Sequence, residues 1–136
     1  MPLLKRYRIF ISHAWTYNAS YYRLVEMLDS MPNFHWENYS VPEDAPLPTK
    51  TKRELNQALI NQIKPTNIII ILAGMYVNYR EWIEREINIA DDFQKPIIGI
   101  VPRGAQVTPL AVSNVARIMV GWNTNSIIDA IRRYAI

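Results

Sequence analysis

Ile68-Ile69-Ile70-Ile71-Leu72-Ala73 is apolar at every position. Side chains of a strand alternate between its two faces, so an unbroken apolar run predicts a strand covered on both sides. In a soluble chain that is a central parallel strand with helices above and below. Pro96-Ile97-Ile98-Gly99-Ile100-Val101 reads as a second strand of the same kind. Tyr7-Arg8-Ile9-Phe10-Ile11 is a β-branched and aromatic run that predicts the first strand. Phe34–Tyr39 is mixed in polarity, which places it at or near a sheet edge, and Arg117–Gly121 is a weaker last strand.

Helical periodicity fills the intervals. Ser20 is a suitable N-cap, and Tyr21, Leu24, Val25 and Leu28 follow at the spacing of a core-facing stripe up to Met31-Pro32-Asn33. Thr51-Lys52-Arg53-Glu54 matches a capping box, with Leu55, Ala58, Leu59 and Gln62/Ile63 continuing a helix that Pro65 closes. A third helix runs from Trp82 to about Phe93. A fourth, capped by Asn125 or Ser126, carries Ile127, Ile131, Tyr134 and Ala135 inward. Pro102 to Asn114 reads as irregular. Strands alternating with helices imply right-handed parallel crossovers. Five of them predict an α/β, flavodoxin-like three-layer fold with strand order 2-1-3-4-5, and residues 1–136 are read as a single domain. The loops after strands 1 and 3, Ser12–Asn18 and Gly74–Tyr79, would then line one crevice.

Composition narrows the function. The chain is 49% hydrophobic and 20% charged, as in ordinary globular proteins. It has no cysteine, which excludes disulfides, thiolate metal sites and cysteine nucleophiles. The net charge of +3 comes from scattered groups such as Lys5/Arg6/Arg8 and Lys50/Lys52/Arg53, without the stripe or motif of a nucleic-acid binder. No apolar run is long enough to span a bilayer. Charge at Lys5 and Arg6 precedes any long apolar stretch, so there is no signal-peptide core and the expected location is cytoplasmic.

The third helix holds the one residue out of pattern. On a helical wheel Trp82, Ile83, Ile87, Ile89, Ala90 and Phe93 share one arc, and Glu86 lies in its middle. Glu81, Glu84, Asp91 and Asp92 fall on the opposite side. A carboxylate turned toward a core costs several kcal/mol unless compensated. It could sit at the rim of the packed face and pair with an Arg. It could equally be a functional group beside the crevice, since open parallel sheets bind ligands outside the carboxyl ends of their strands.

Several chemistries are excluded at that crevice. Ser12–Asn18 has no glycine to wrap a phosphate, and the four glycines of the chain are isolated, with no Walker loop and no GxGxxG. The acidic pair and phosphoacceptor Asp of a receiver domain are replaced by Ser12-His13 and Gly74-Met75. His13 and His35 lack a spaced carboxylate set, so no metal site is expected, and Ser12 lacks a nucleophile elbow. What remains is one carboxylate and aromatic faces at Trp15, Tyr17, Tyr39, Tyr76, Tyr79 and Trp82, which suit a flat heterocycle or, taken singly, core packing.

Three segments together resemble a known family. Arg8-Ile9-Phe10-Ile11-Ser12-His13-Ala14 looks like the opening strand and first loop of a TIR domain. Trp82-Ile83-Glu84-Arg85-Glu86 matches the WxxxE signature, and Lys95-Pro96-Ile97-Ile98-Gly99-Ile100 looks like the strand after it. The likeness spans nearly the whole chain and is nearest to the compact bacterial group that includes the TIR subunit of Thoeris antiphage systems. Many such domains cleave NAD at the nicotinamide–ribose bond, and some cyclise the ADP-ribose product into a signal. The resemblance makes Glu86 the catalytic residue and NAD the substrate, with no separate cofactor. It assigns Ser12, His13 and Trp15 to the first substrate loop; Tyr39 and Trp82, from the aromatic residues near the crevice, are further expected substrate contacts. Val41–Pro48, with three prolines, resembles the BB loop, through which a homo-oligomer is expected to form. A separate effector protein is a further expected partner, and neither nucleic acid nor membrane is expected. The alternative is a TIR-like adaptor that assembles with other proteins and does not catalyse.

Overall fold

The computed structural model describes residues 5–12, 19–40, 52–73, 80–101 and 110–136, without the side chains of Lys52, Leu55 and Trp82. Its centre is the apolar run. Strand β3 (Ile68–Leu72) is buried at all five positions. On one side it pairs in parallel with β1 (Arg6–Ser12), with Ile9 opposite Ile68 and Ser12 opposite Ile71. On the other it pairs with β4 (Ile97–Ile100), Ile69 opposite Ile97. The edge strands are β2 (His35–Asn38), beside β1, and β5 (Ile118–Val120), beside β4. The order is 2-1-3-4-5, all parallel, as the alternation of elements predicts.

The helices cover both faces. Helix α1 (Ala19–Ser30) packs with the last helix, α5 (Thr124–Tyr134), and α2 (Lys52–Ile63) packs with α3 (Arg80–Asp92). Right-handed crossovers require this division, because the chain moves from β1 toward one edge and from β3 toward the other. Leu24 and Leu28 of α1, Leu59 and Ile63 of α2, and Ile127 and Ile131 of α5 are all fully buried or nearly so, as their spacing predicts. The final helix buries Ile128 and Ala130 as well.

Four local expectations need correction. Ser20 lies inside α1, which begins at Ala19, so it is not the N-cap. The cap of α5 is Asn123, whose side chain accepts from the Ser126 N–H at 3.0 Å, so neither Asn125 nor Ser126 has that role. The stretch Pro102–Asn114, read as irregular, contains a one-turn helix, α4 (Leu110–Ser113). That helix is too short to show a 3.6-residue period, and its single buried residue, Val112, packs close to Gly99. A Cβ at Gly99 would meet the end of the Met119 side chain across the β4–β5 pair and approach Val112 Cγ1 to 3.2 Å, so a larger residue there would require both side chains to shift. The fourth concerns lengths: β1 extends to Arg6 and Ser12, and α3 starts at Arg80, before Trp82. Thr51 of the proposed capping box lies outside the described residues.

Polar side chains close the elements. Thr66 is 1% exposed and its Oγ1 donates to the Ile63 carbonyl at 2.6 Å, finishing α2 just after Pro65. Asn67 ties three segments: its backbone N–H donates to Arg8 O, its Oδ1 accepts from Arg8 N, and its Nδ2 donates to Ile136 O. Helix α3 ends in a Schellman arrangement, with Lys95 N bonded to Ala90 O at 2.8 Å and Gln94 N to Asp91 O at 3.0 Å. Gln94 is held at φ 54 to make that turn.

Two stability measurements follow from these caps. Gln94→Gly relieves a left-handed residue and should raise stability by up to about 1 kcal/mol, read as a higher midpoint of thermal unfolding. Asn123→Ala removes the cap of α5 and should lower stability by about 1 kcal/mol in urea unfolding, with an unchanged m-value.

Candidate active site

Strand order sets the place of the site. The chain leaves β1 toward β2 and leaves β3 toward β4, so the switch point lies between the carboxyl ends of β1 and β3. Ser12 is the last residue of β1, and its Cα stands in register with Ile71 of β3. It is 2% exposed, and its Oγ has no hydrogen-bond partner among the described residues. An unbonded buried hydroxyl is costly, and such a group at a switch point is suited to a ligand hydroxyl.

Glu86 sits on α3, the helix that follows β3. It is 1% exposed and shares the inner face with Ile83, Ile87, Ile89 and Ala90. Glu81, Glu84, Asp91 and Asp92 of the same helix are exposed, as the wheel predicts. The rim position is therefore ruled out: the carboxylate is inside. Helix side chains lean toward the helix N-terminus. The N-terminus of α3 is joined to the carboxyl end of β3, so the Glu86 side chain leans toward the end of the sheet that carries Ser12. Glu86 is the seventh residue of α3, about 9 Å along the helix axis from its start at a rise of 1.5 Å per residue.

The other expected contacts divide. His13 and Trp15 lie outside the described residues, as do Tyr17, Tyr76, Tyr79 and the Val41–Pro48 loop. Trp82 is the third residue of α3, and its side chain is not among those described. Tyr39 follows β2 and is half-buried, with its N–H bonded to Ile9 O at 2.8 Å. Its hydroxyl donates to Glu37 Oε2 at 3.4 Å. Glu37 in turn pairs with Arg6 at 3.2 Å and Arg8 at 3.6 Å. The Tyr39 hydroxyl is thus turned back along the sheet edge toward Arg8, four residues before Ser12.

One polar residue escaped the sequence reading. Ser40 is 6% exposed, and its Oγ accepts the Ile11 N–H at 2.9 Å. The only sequence signal was a serine placed between an edge strand and a proline-rich loop, where a solvated turn is the ordinary expectation.

Two surface clefts lie elsewhere. One, of about 810 Å³, opens between the end of α3 and the turn before β5, with Asn88, Asp91, Lys95, Asn114 and Arg117 on its walls. It is at the amino end of the sheet, where helix carboxyl termini gather, and Lys95 and Arg117 suit that negative dipole end. Burial lowers the Lys95 ammonium from its ordinary value. The other, of about 380 Å³, follows β5 and α5. Neither is lined by Ser12 or Glu86. Among the described residues no group of three or more potential metal-ligating side chains converges, and no helix is long and apolar enough to cross a membrane.

Comparison with known structures returns the same architecture. A CMP N-glycosidase of Clostridium botulinum, BcmB, superposes with a TM-score of 0.51 at 12% identity, over 92% of this chain and 98% of that one. At that identity the likeness is one of fold. A comparison with curated proteins gave no match. The family model described as the TIR-like domain of the Thoeris protein ThsB matches residues 10–107. That span runs from the core of β1 past the end of β4 and includes Ser12, Ser40 and Glu86, and on this evidence the chain belongs to the Thoeris ThsB TIR-like domain family.

Proposed function

We propose that this TIR-like domain cleaves the nicotinamide–ribose bond of NAD, with Glu86 as its catalytic carboxylate, and releases ADP-ribose or a cyclic product of it. The observation that carries the reading is the burial of Glu86 on the inner face of α3, while the other four carboxylates of the same helix are exposed. A glutamate kept inside the core next to a ligand crevice is a poor choice for stability and a good one for chemistry.

One carboxylate is enough for this reaction. Ordinary glycosidases need two, because a sugar oxygen must be protonated as it leaves. The nicotinamide of NAD is positively charged and departs as a neutral molecule, so no general acid is needed. The remaining task is to stabilise an oxocarbenium-like ribose. A carboxylate in a low-dielectric site does that at full strength, and it also holds the ribose hydroxyls in place. The buried Ser12 Oγ supplies a second hydroxyl contact at the same end of the sheet. The fold neighbour BcmB is itself a CMP N-glycosidase, so this architecture carries cleavage of a nucleotide's N-glycosidic bond in at least one other protein. By family likeness the product serves as an antiphage signal read by a separate effector protein in the cytoplasm, and the domain works as a homo-oligomer.

The test is turnover of NAD by the purified protein at high concentration, with products identified by mass spectrometry and CMP as the competing substrate. Nicotinamide release is expected, and release of cytosine from CMP with none from NAD would replace NAD by CMP. Glu86→Gln should keep the fold and lower turnover by at least about 100-fold, since it removes the charge that faces the developing cation. A folded Glu86→Gln protein with native turnover would remove Glu86 from the catalytic role, and a native protein without turnover would leave the adaptor reading in its place. Ser12→Ala should lower kcat/KM roughly tenfold, the cost of one hydrogen bond in a buried site.

A further inference from the structure

Ser40 stands at an unusual junction. Strand β2 ends at Asn38, while β1, its neighbour, runs on to Ser12. The ladder continues one step beyond β2 through Tyr39 N to Ile9 O at 2.8 Å. At the next step the Ile11 N–H is met by a side chain, the Ser40 Oγ, at 2.9 Å. Ser40 itself is fixed. Its N–H donates to Asn38 Oδ1 at 2.9 Å, and Asn38 Nδ2 donates to the Tyr21 hydroxyl of α1 at 2.6 Å. A relay through Tyr21, Asn38 and Ser40 therefore links α1 and the exit of β2 to the amide of Ile11, the residue before Ser12.

The structural alternative is a turn serine that satisfies a backbone donor and nothing more. Two observations separate Ser40 from that role. It is 6% exposed, so it lies within the protein and not on a solvated turn. The amide it holds belongs to Ile11, the residue next to Ser12, whose own buried Oγ makes no hydrogen bond among the described residues. A hydroxyl without a local partner takes its direction from the backbone beneath it. Movement of a reacting group by about 1 Å can cost two orders of magnitude in rate.

The geometry points to Ser40 as a positioning residue for glycosidic-bond cleavage, acting through the Ile11 peptide to hold the Ser12 hydroxyl where the substrate ribose meets it. This rests on the function proposed above. Ser40 makes no contact with the substrate in this scheme. It holds the end of β1 against the end of β2, and Asn38 and Tyr21 brace it from the α1 face.

The experiment compares the native protein with Ser40→Ala, Ser40→Thr, Ser12→Ala and the Ser12→Ala/Ser40→Ala double variant, by nicotinamide release from NAD and by hydrogen–deuterium exchange. Ser40→Ala should lower kcat about tenfold, speed exchange at the Ile11 amide, and leave the Ile69 and Ile70 amides of β3 as protected as before. Ser40→Thr keeps an Oγ and should restore turnover to within about threefold of native. If Ser40 acts through Ser12, adding Ser40→Ala to Ser12→Ala should cost less than a further twofold or so, because the two changes break one interaction. Losses that multiply across the two sites, or a Ser40→Ala protein with native turnover, would overturn the assignment. Nicotinamide release absent from the native protein would overturn the proposed function and this role together. Release by the native protein with unchanged Ser40→Ala turnover would overturn this role alone.

Discussion

Burial of β3 on both faces is the constraint from which the rest follows. Five consecutive apolar residues, Ile68–Leu72, leave neither side of the central strand able to meet water. The sheet must therefore be covered above and below, and a parallel sheet achieves this with crossover helices. Handedness then forces α1 and α5 to one side and α2 and α3 to the other. The change of direction between β1 and β3 creates the switch point, and the helix leaving β3 is the one that bears Glu86. A stretch with no chemistry of its own thus decides where the proposed site lies.

Energetics and the proposed function pull against each other at that point. Around the switch point the core is isoleucine on three strands, at Ile11, Ile70, Ile71 and Ile98, each fully buried. Into the same interior the chain places Ser12 and Glu86, both polar and both buried. Packing alone would favour apolar residues of similar size at these positions. Proteins keep such violations of local consistency mainly where a site needs them. Two further buried polar residues, Thr66 and Ser40, each bond to a neighbouring backbone group and so close an element or a strand end.

Much of the fold was legible in the sequence because its signals were periodic and strong. Apolar runs at Ile68–Ala73 and Pro96–Val101 mark central strands, and the wheel of α3 separates Glu86 from Glu81, Glu84, Asp91 and Asp92 correctly. What escaped was set by geometry across strands or by very short pieces. Helix α4 has a single turn and no period to read. Asn123 caps α5 from a position that the Asn125/Ser126 pair obscures in sequence. The role of Ser40 depends on β2 ending while β1 continues, a difference in length between paired strands that no single segment reveals. Tyr39 reads in sequence as an aromatic residue near the crevice, and its hydroxyl bond to Glu37, which pairs with Arg6 and Arg8, becomes visible only across the β1–β2 pair.

The two outer strands have a consequence for how copies of this protein can meet. Strand β2 has four residues and carries the charged Arg6–Glu37–Arg8 cluster beside it, and β5 has three residues. Short and charged borders offer few free backbone groups in a row, which is how native sheets avoid recruiting foreign strands. A higher-order assembly of this domain would be joined through side chains and loops instead of through one continuous ladder running from copy to copy.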